Sequence, residues 1–144
     1  MRLGISCNRF GSGGGLERYA LDIAGALSKM PGVRVDVFAR GFDRGVAESL
    51  GVEPHRIEVS WLPGKLRDLG FSRALATRRI GCDLVIGCNR VRGTDVAICG
   101  GTHLGYLAAR GRRARVFDRL QVAVESDQYA GAAVVVAHSR LMHE

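Results

Sequence analysis

Three short segments of this chain combine glycine with polar side chains in a way that suits a ligand. The first is Gly11-Ser12-Gly13-Gly14-Gly15. It separates an apolar tetrapeptide, Leu3 to Ser6, from a run in which Leu16, Tyr19, Ala20, Ile23, Ala24 and Leu27 recur at helical spacing. A loop from a strand to a helix N-terminus presents free backbone N–H groups beside the positive end of the helix dipole. Glycines let a phosphate or sugar approach without a Cβ in the way. Gly13, Gly14 and Gly15 are therefore candidate substrate-binding residues. The cofactor pattern Gly-x-Gly-x-x-Gly fails when started at Gly11, because Leu16 takes its last position. The carboxylate expected with it near the end of the second strand is missing as well, since Phe38 is followed by Ala39 and Arg40. No Gly-Lys-Ser or Gly-Lys-Thr occurs, which excludes a P-loop.

The second segment is Gly87-Cys88-Asn89-Arg90, behind the apolar run Leu84-Val85-Ile86. Asn89 offers a donor and an acceptor, and Arg90 a planar fork suited to phosphate or carboxylate. Mixed donors and acceptors of this kind match sugar hydroxyls. The third is Gly100-Gly101-Thr102-His103, behind Val96-Ala97-Ile98. Two glycines let backbone pass close to a ligand, and a histidine in a cleft can bond a hydroxyl or exchange a proton near neutral pH. His103 is thus the catalytic candidate, with Gly101 and Thr102 beside it. No Ser/His/Asp order and no paired carboxylates accompany it, so the sequence lacks a self-sufficient catalytic set. Ser139-Arg140, behind Val134-Val135-Val136, makes a fourth strand-end turn.

The elements that must position these segments alternate. The pattern predicts strands at Leu3 to Ser6, Val33 to Phe38, Ile57 to Leu62, Leu84 to Ile86, Val96 to Ile98 and Val134 to Val136, the last of them buried. It predicts helices at Leu16 to Leu27, Asp43 to Leu50, Leu66 to Arg79 and Arg112 to Tyr129, the last with Val116, Phe117, Leu120 and Val124 on one side. Pro31-Gly32 stops the first helix. Short apolar strands alternating with helices argue for an α/β, Rossmann-like, three-layer domain with a mainly parallel sheet. Ligands of such sheets bind beyond the carboxyl ends of the strands, where all four segments fall.

Composition narrows the classes further. The 144 residues are 47% hydrophobic and 24% charged, ordinary for a globular domain. The longest strongly apolar uncharged stretch, Ala130 to Ala137, is far short of the about 20 residues a spanning helix needs. The first six residues hold neither a long apolar core nor a small-residue cleavage site, so a cytoplasmic domain is expected. The formal charge is +7, and residues 65–119 carry 12 basic against 4 acidic residues. That field favours anionic partners: nucleic acid, acidic lipid or phosphorylated small molecules. Cys7, Cys82, Cys88 and Cys99 form no Cys-x-x-Cys pair, and no zinc site or redox pair is expected.

The run Gly13-Gly14-Gly15-Leu16-Glu17-Arg18-Tyr19-Ala20-Leu21-Asp22-Ile23-Ala24 resembles the opening of the two-domain, retaining glycosyltransferases of the GT-B fold. It is most similar to family 4, including the lipopolysaccharide core glucosyltransferases, where Gly-Gly-x-Glu-Arg follows the first strand. Val85 to Arg90 with Gly93-Thr94-Asp95-Val96, then Gly100 to Leu107, then Val134 to Met142, resemble later segments of the same family in the same order. The resemblance implies an N-terminal acceptor-binding domain, one half of a GT-B fold, spanning 1–144. It implies that Gly13, Gly14, Gly15, Arg18, Asn89, Arg90, Gly101, Thr102 and Ser139 contact substrate, and that His103 lies close to the transferred sugar. Gly101 stands nearest the place where some core transferases carry an Asp.

In that family the C-terminal domain binds the nucleotide-sugar donor. This chain stops at Glu144, just inside the helix after the last N-domain strand, so that domain is expected to be absent and the chain inactive alone. No metal or other cofactor is expected. The expected partners are a sugar or glycolipid acceptor, a donor held by the absent domain, and an anionic membrane touched peripherally from the cytoplasmic side. Nucleic acid is not expected. A non-enzymatic phospholigand or nucleic-acid module and a degenerate NAD(P)-binding Rossmann domain are the alternatives. The glycine loop and the imidazole of His103 are expected to open onto one shared hollow.

Overall fold

The structure, a computed structural model, describes residues 1–137. Ser139 and Arg140 lie outside them. Strands β1 (Arg2–Phe10), β2 (Arg34–Phe42), β3 (Glu53–Arg56), β4 (Leu84–Gly87), β5 (Val96–Cys99) and β6 (Val134–Ala137) form one sheet. Its order is β3-β2-β1-β4-β5-β6, and every neighbouring pair is parallel. The connections carry helices α1 (Gly15–Leu27), α2 (Val46–Leu50), α3 (Arg67–Arg78), α4 (His103–Ala109) and α5 (Val116–Gly131). The expected Rossmann-like α/β class therefore holds.

Strand alternation sorts the core into two faces. Ile5, Cys7, Val35, Val37 and Ala39 point one way and pack under Ala20 and Ala24 of α1. The helical stripe read at Leu16, Tyr19, Ile23 and Leu27 seals that cluster from its edge. Phe38 points the other way and meets Ile57, Val59, Phe71, Leu75 and Val91, with α3 as the cover. Asp36 shares the Phe38 face and is fully buried. It is tolerated because Arg2 Nε and Nη2 donate to its two oxygens at 2.7 and 2.8 Å, and His55 Nε2–H donates at 2.6 Å. Buried charges persist when paired and hydrogen-bonded in this way.

Several elements differ from the sequence expectation. The third strand is Glu53–Arg56, not Ile57 to Leu62, because pairing with β2 runs from Asp36↔Glu53 to Ala39↔Arg56. Ile57 and Val59 are buried, but as an extended tail that leaves the sheet for the α3 cluster. Pro54 is accommodated because β3 is an edge strand. Helix α4 was not expected: glycines on both sides mask it, and Thr102 Oγ1 caps it by accepting from Gly105 N at 3.0 Å. The last strand forms, yet Val134 and Val135 are 52% and 45% exposed, because β6 is the sheet edge of the described residues.

Helix α5 turns differently from its apolar reading. Val116 and Phe117 are largely in solvent, whereas Asp118, Val124, Glu125 and Gln128 are buried. The reason lies under the helix. Its inner face covers the polar strand-end turns rather than apolar sheet, so polar side chains face inward and find partners there.

Candidate functional site at the strand ends

A polar cleft of about 160 Å³ opens beyond the carboxyl ends of β1, β4 and β5. Asn8 from β1, Asn89 and Arg90 behind β4, and Gly100 and Gly101 behind β5 line it. The remaining walls are Leu16 at the start of α1, Ile98 of β5, Asp68 in the first turn of α3, and Glu125, Gln128 and Tyr129 of α5. The position is the one open parallel sheets reserve for ligands, where chain direction across the sheet reverses between β1 and β4.

Local contacts explain why these residues converge. Gly100 lies directly against Leu16: a Cβ there would stand 2.9 Å from three Leu16 side-chain atoms. Gly101 has φ of +150°, a backbone that L side chains rarely adopt. The two glycines thus let the β5 exit turn against the start of α1. Asn89 is 5% exposed, and its Oδ1 accepts from Ser6 Oγ at 2.9 Å. Gln128 clamps the same turn, donating to Asn89 O at 2.9 Å while accepting from Val91 N at 3.3 Å.

Charges within the cleft balance. Arg90 lies between Asp68 at 3.4 Å and Glu125 at 3.5 Å, and Arg40 donates to the other Asp68 oxygen. Two guanidinium groups and two carboxylates leave the cleft with no net charge to offer a phosphate. Among the described residues, Arg40 Nε, Asn89 Nδ2 and Arg90 Nε are buried donors of this group without a partner. Burial, aided by a hydrogen bond with Cys99, raises the Tyr129 hydroxyl above its ordinary pKa and keeps it protonated. A neutral wall of mixed donors and acceptors can hold a polyol through its hydroxyls.

The remaining candidates are placed as follows. His103 does not line the cleft; its backbone N–H donates to Glu125 Oε2, a wall residue, at 2.9 Å. Its imidazole lies in an adjoining hollow of about 250 Å³ with Lys65, Tyr106, Arg112, Arg115, Phe117 and Asp118. There Nε2–H donates to Asp118 Oδ1 at 2.9 Å. Asp118 also accepts from Arg115 N at 2.8 Å and Arg112 Nη2 at 2.9 Å. The Arg115 backbone bond first, then the His103 bond, hold its carboxyl below the usual range. Gly13, Gly14 and Gly15 are exposed at the start of α1 and line neither hollow. The glycine loop and the imidazole therefore do not share one cavity; of the two segments that carry them, only Leu16, Gly100 and Gly101 line the cleft. Arg18 sits on the outer side of α1, 3.4 Å from Asp22, and is not brought to the cleft. Thr102 is the α4 cap.

One part of the sequence argument is corrected here. A carboxylate does stand at the end of the second strand, because β2 continues to Phe42 and Asp43 follows it. It is turned onto the glycine loop itself, accepting from Ser12 N at 2.8 Å, Ser12 Oγ at 2.9 Å and Arg9 Nε at 2.8 Å. Gly11 leaves the room for it, since a Cβ there would collide with Asp43. An internal anion thus holds the amide at the beginning of the loop.

Asp68, Glu125, Gln128 and Asn8 are site residues that the sequence reading missed. A signal existed for α5. Asp118, Gln121, Glu125 and Gln128 recur at i, i+3, i+7 and i+10, a polar stripe with the helix period. No comparable signal marks Asp68 or Asn8.

The sequence profile of glycosyltransferase family 4 matches residues 13–144. The chain belongs to this family. A probable transglycosylase of Burkholderia thailandensis is 57% identical over 146 aligned positions, which cover all of this chain and 40% of that protein. The chain thus spans well under half the length of the curated relative it matches. Among solved structures, WaaG, a glycosyltransferase involved in lipopolysaccharide biosynthesis, superposes with a TM-score of 0.72 at 17% identity. The superposition covers 87% of this family 4 chain and 35% of WaaG, and what it shows is the shared fold.

Proposed function

We propose that residues 1–144 form the acceptor-binding side of an enzyme that moves a hexose from a nucleotide-sugar to a hydroxyl of a lipid-linked or polysaccharide acceptor. The donor is held by residues outside these 144, and the chain alone does not turn over nucleotide-sugar. No metal ion takes part. The observation that carries this reading is the charge-balanced cleft behind β1, β4 and β5, with Asn89 Nδ2 and Arg90 Nε left without partners among the described residues. Unpartnered buried donors are costly, and a sugar hydroxyl entering the cleft relieves that cost.

In this reading Asn89 and Arg90 contact the acceptor, and Gly101 with Thr102 forms the lip of the cleft. The N–H groups of Gly13 to Gly15, and Arg18 farther out, face parts of the substrates that extend beyond it; a contact of Ser139 with substrate is proposed from the family resemblance. Because Nε2–H of the neutral His103 ring donates to Asp118, Nδ1 is left as an acceptor. That nitrogen receives a hydroxyl of the transferred sugar where the two hollows adjoin. The basic surface of residues 65–119, including Arg73, Arg78, Arg110, Arg112, Arg113 and Arg115, holds the enzyme on the cytoplasmic leaflet of an anionic membrane. No helix among the described residues is long and apolar enough to cross a membrane.

A backbone-amide NMR titration with hexose-terminated oligosaccharides tests the central claim. The amides of Asn8, Asn89, Gly100 and Gly101 are expected to shift. Shifts confined to other surfaces would refute it. Robust turnover of a nucleotide-sugar by the 144-residue chain would refute the division of labour.

A further inference from the structure

A third hollow, of about 580 Å³, lies outside the strand-end cleft and the His103 hollow, between the segment following β3 and one face of α3. Its walls are Val59, Trp61, Leu62, Leu66, Leu69 and Ala74. Volume and lining suit a hydrocarbon guest. Trp61 is the sole tryptophan of the chain and is 76% exposed, so its indole contributes little to the core. Gly70 sits inside α3, where glycine is less favourable than alanine. A Cβ there would collide with Leu62. The helix thus carries a glycine so that Leu62 can lie against it and form the floor.

The rim is cationic. Arg73 is exposed and has no ion pair or hydrogen bond among the described residues. Arg67 donates to the carbonyls of Leu62 and Ser60, which leaves its charge unneutralised. The one rim acid, Glu58, accepts from Ser60 N at 2.9 Å and lies 3.7 Å from Arg56. An apolar floor beneath uncompensated cations is complementary to an amphiphile with an anionic head. An exposed indole at the lip suits the level of lipid headgroups.

We infer that this hollow seats a hydrocarbon chain of an anionic membrane lipid, with the lipid phosphate beside Arg73 and Arg67. The assignment rests on the membrane-facing part of the proposed function and is independent of sugar transfer.

Trp61 itself is the probe. On mixed phosphatidylglycerol–phosphatidylcholine vesicles its emission moves to shorter wavelength, iodide no longer quenches it, and lipids brominated in the acyl chain do. Pure phosphatidylcholine vesicles leave it solvated. Arg73→Glu weakens binding to the mixed vesicles about tenfold, whereas Lys29→Glu, an equal charge change on α1's side of the molecule, alters it by less than about twofold. Leu69→Asp, in the wall, removes the quenching by brominated chains. Vesicle binding with Trp61 still open to iodide would overturn this assignment and leave the membrane reading standing. Absence of any vesicle binding would overturn both. Shielding of Trp61 that grows with protein concentration and needs no lipid would give the hollow to a second copy of the chain, and would overturn the assignment as well.

Discussion

Replacing Gly100 with alanine places a methyl carbon 2.9 Å from Cγ, Cδ1 and Cδ2 of Leu16. Cγ is not the free end of a side chain, so the collision is relieved only by turning Leu16 out of its seat or by moving the start of α1. Overpacking of this kind costs about 1–3 kcal/mol. Leu16→Ala alone removes part of a half-buried side chain at the edge of the β1–α1 core and costs about 1–2 kcal/mol. In the double variant the new methyl occupies space that Leu16 has vacated. The loss in the double variant should then fall short of the sum of the two single losses by about 1–2 kcal/mol, within the range seen for residues in contact. Urea unfolding of the four proteins, followed by far-ultraviolet circular dichroism, measures this coupling. Additivity within about 0.3–0.5 kcal/mol would show that Gly100 and Leu16 do not touch, and would remove the reason for the glycine behind β5.

Three further outcomes are expected. Asp36→Asn should destabilise the fold by about 2–3 kcal/mol at neutral pH, the low end for a broken buried pair because Arg2 is partly solvated. Arg2 chiefly, with His55, holds the Asp36 carboxyl below its usual range, so its stabilisation is present above about pH 4 and fades as pH falls through the folded-state value. The stability gap between parent and variant should therefore narrow in acid, and a pH-independent gap in urea titrations would contradict the pairing. Glu125→Ala should cost about 2 kcal/mol in the same assay, since Arg90 and the His103 amide each lose a partner; an unchanged midpoint would place Glu125 outside the network. Burial pushes the Cys88 thiol up to about 12 and Cys7 higher still, so thiol reagents at mildly alkaline pH should label the half-buried Cys82 first. Native-state labelling of Cys88 as fast as Cys82 would count against the packing described.

The parts of the site that were legible are those carried by short-range pattern. Asn89, Arg90, Gly100 and Gly101 follow apolar strands directly, and the parallel-sheet rule puts such positions at the ligand edge. The α1 stripe was equally plain, because its apolar residues keep one period over thirteen positions. The third strand was misread because its apolar tail, Ile57 and Val59, looks more like a strand than Glu53–Arg56, whose place is decided by pairing with β2. Asp43 was missed for a related reason. Only the Arg9↔Gly41 and Phe10↔Phe42 pairs, with the two rings 5.9 Å apart, extend β2 far enough to bring a carboxylate to the glycine loop.

From the order of residues alone came the alternation of elements, the apolar faces that drive it, and the glycine and amide turns that cannot fill a core. Those are local properties, set by spacing and by which backbone shapes each residue tolerates. Tertiary structure decided which charges meet. Asp68 and Glu125 are 57 positions apart in the chain, yet they flank one guanidinium and leave the cleft neutral. It also decided that the imidazole of His103 faces Asp118 rather than the glycine loop, because the turn of α4 and α5, and not the nearness of motif to motif, directs that ring.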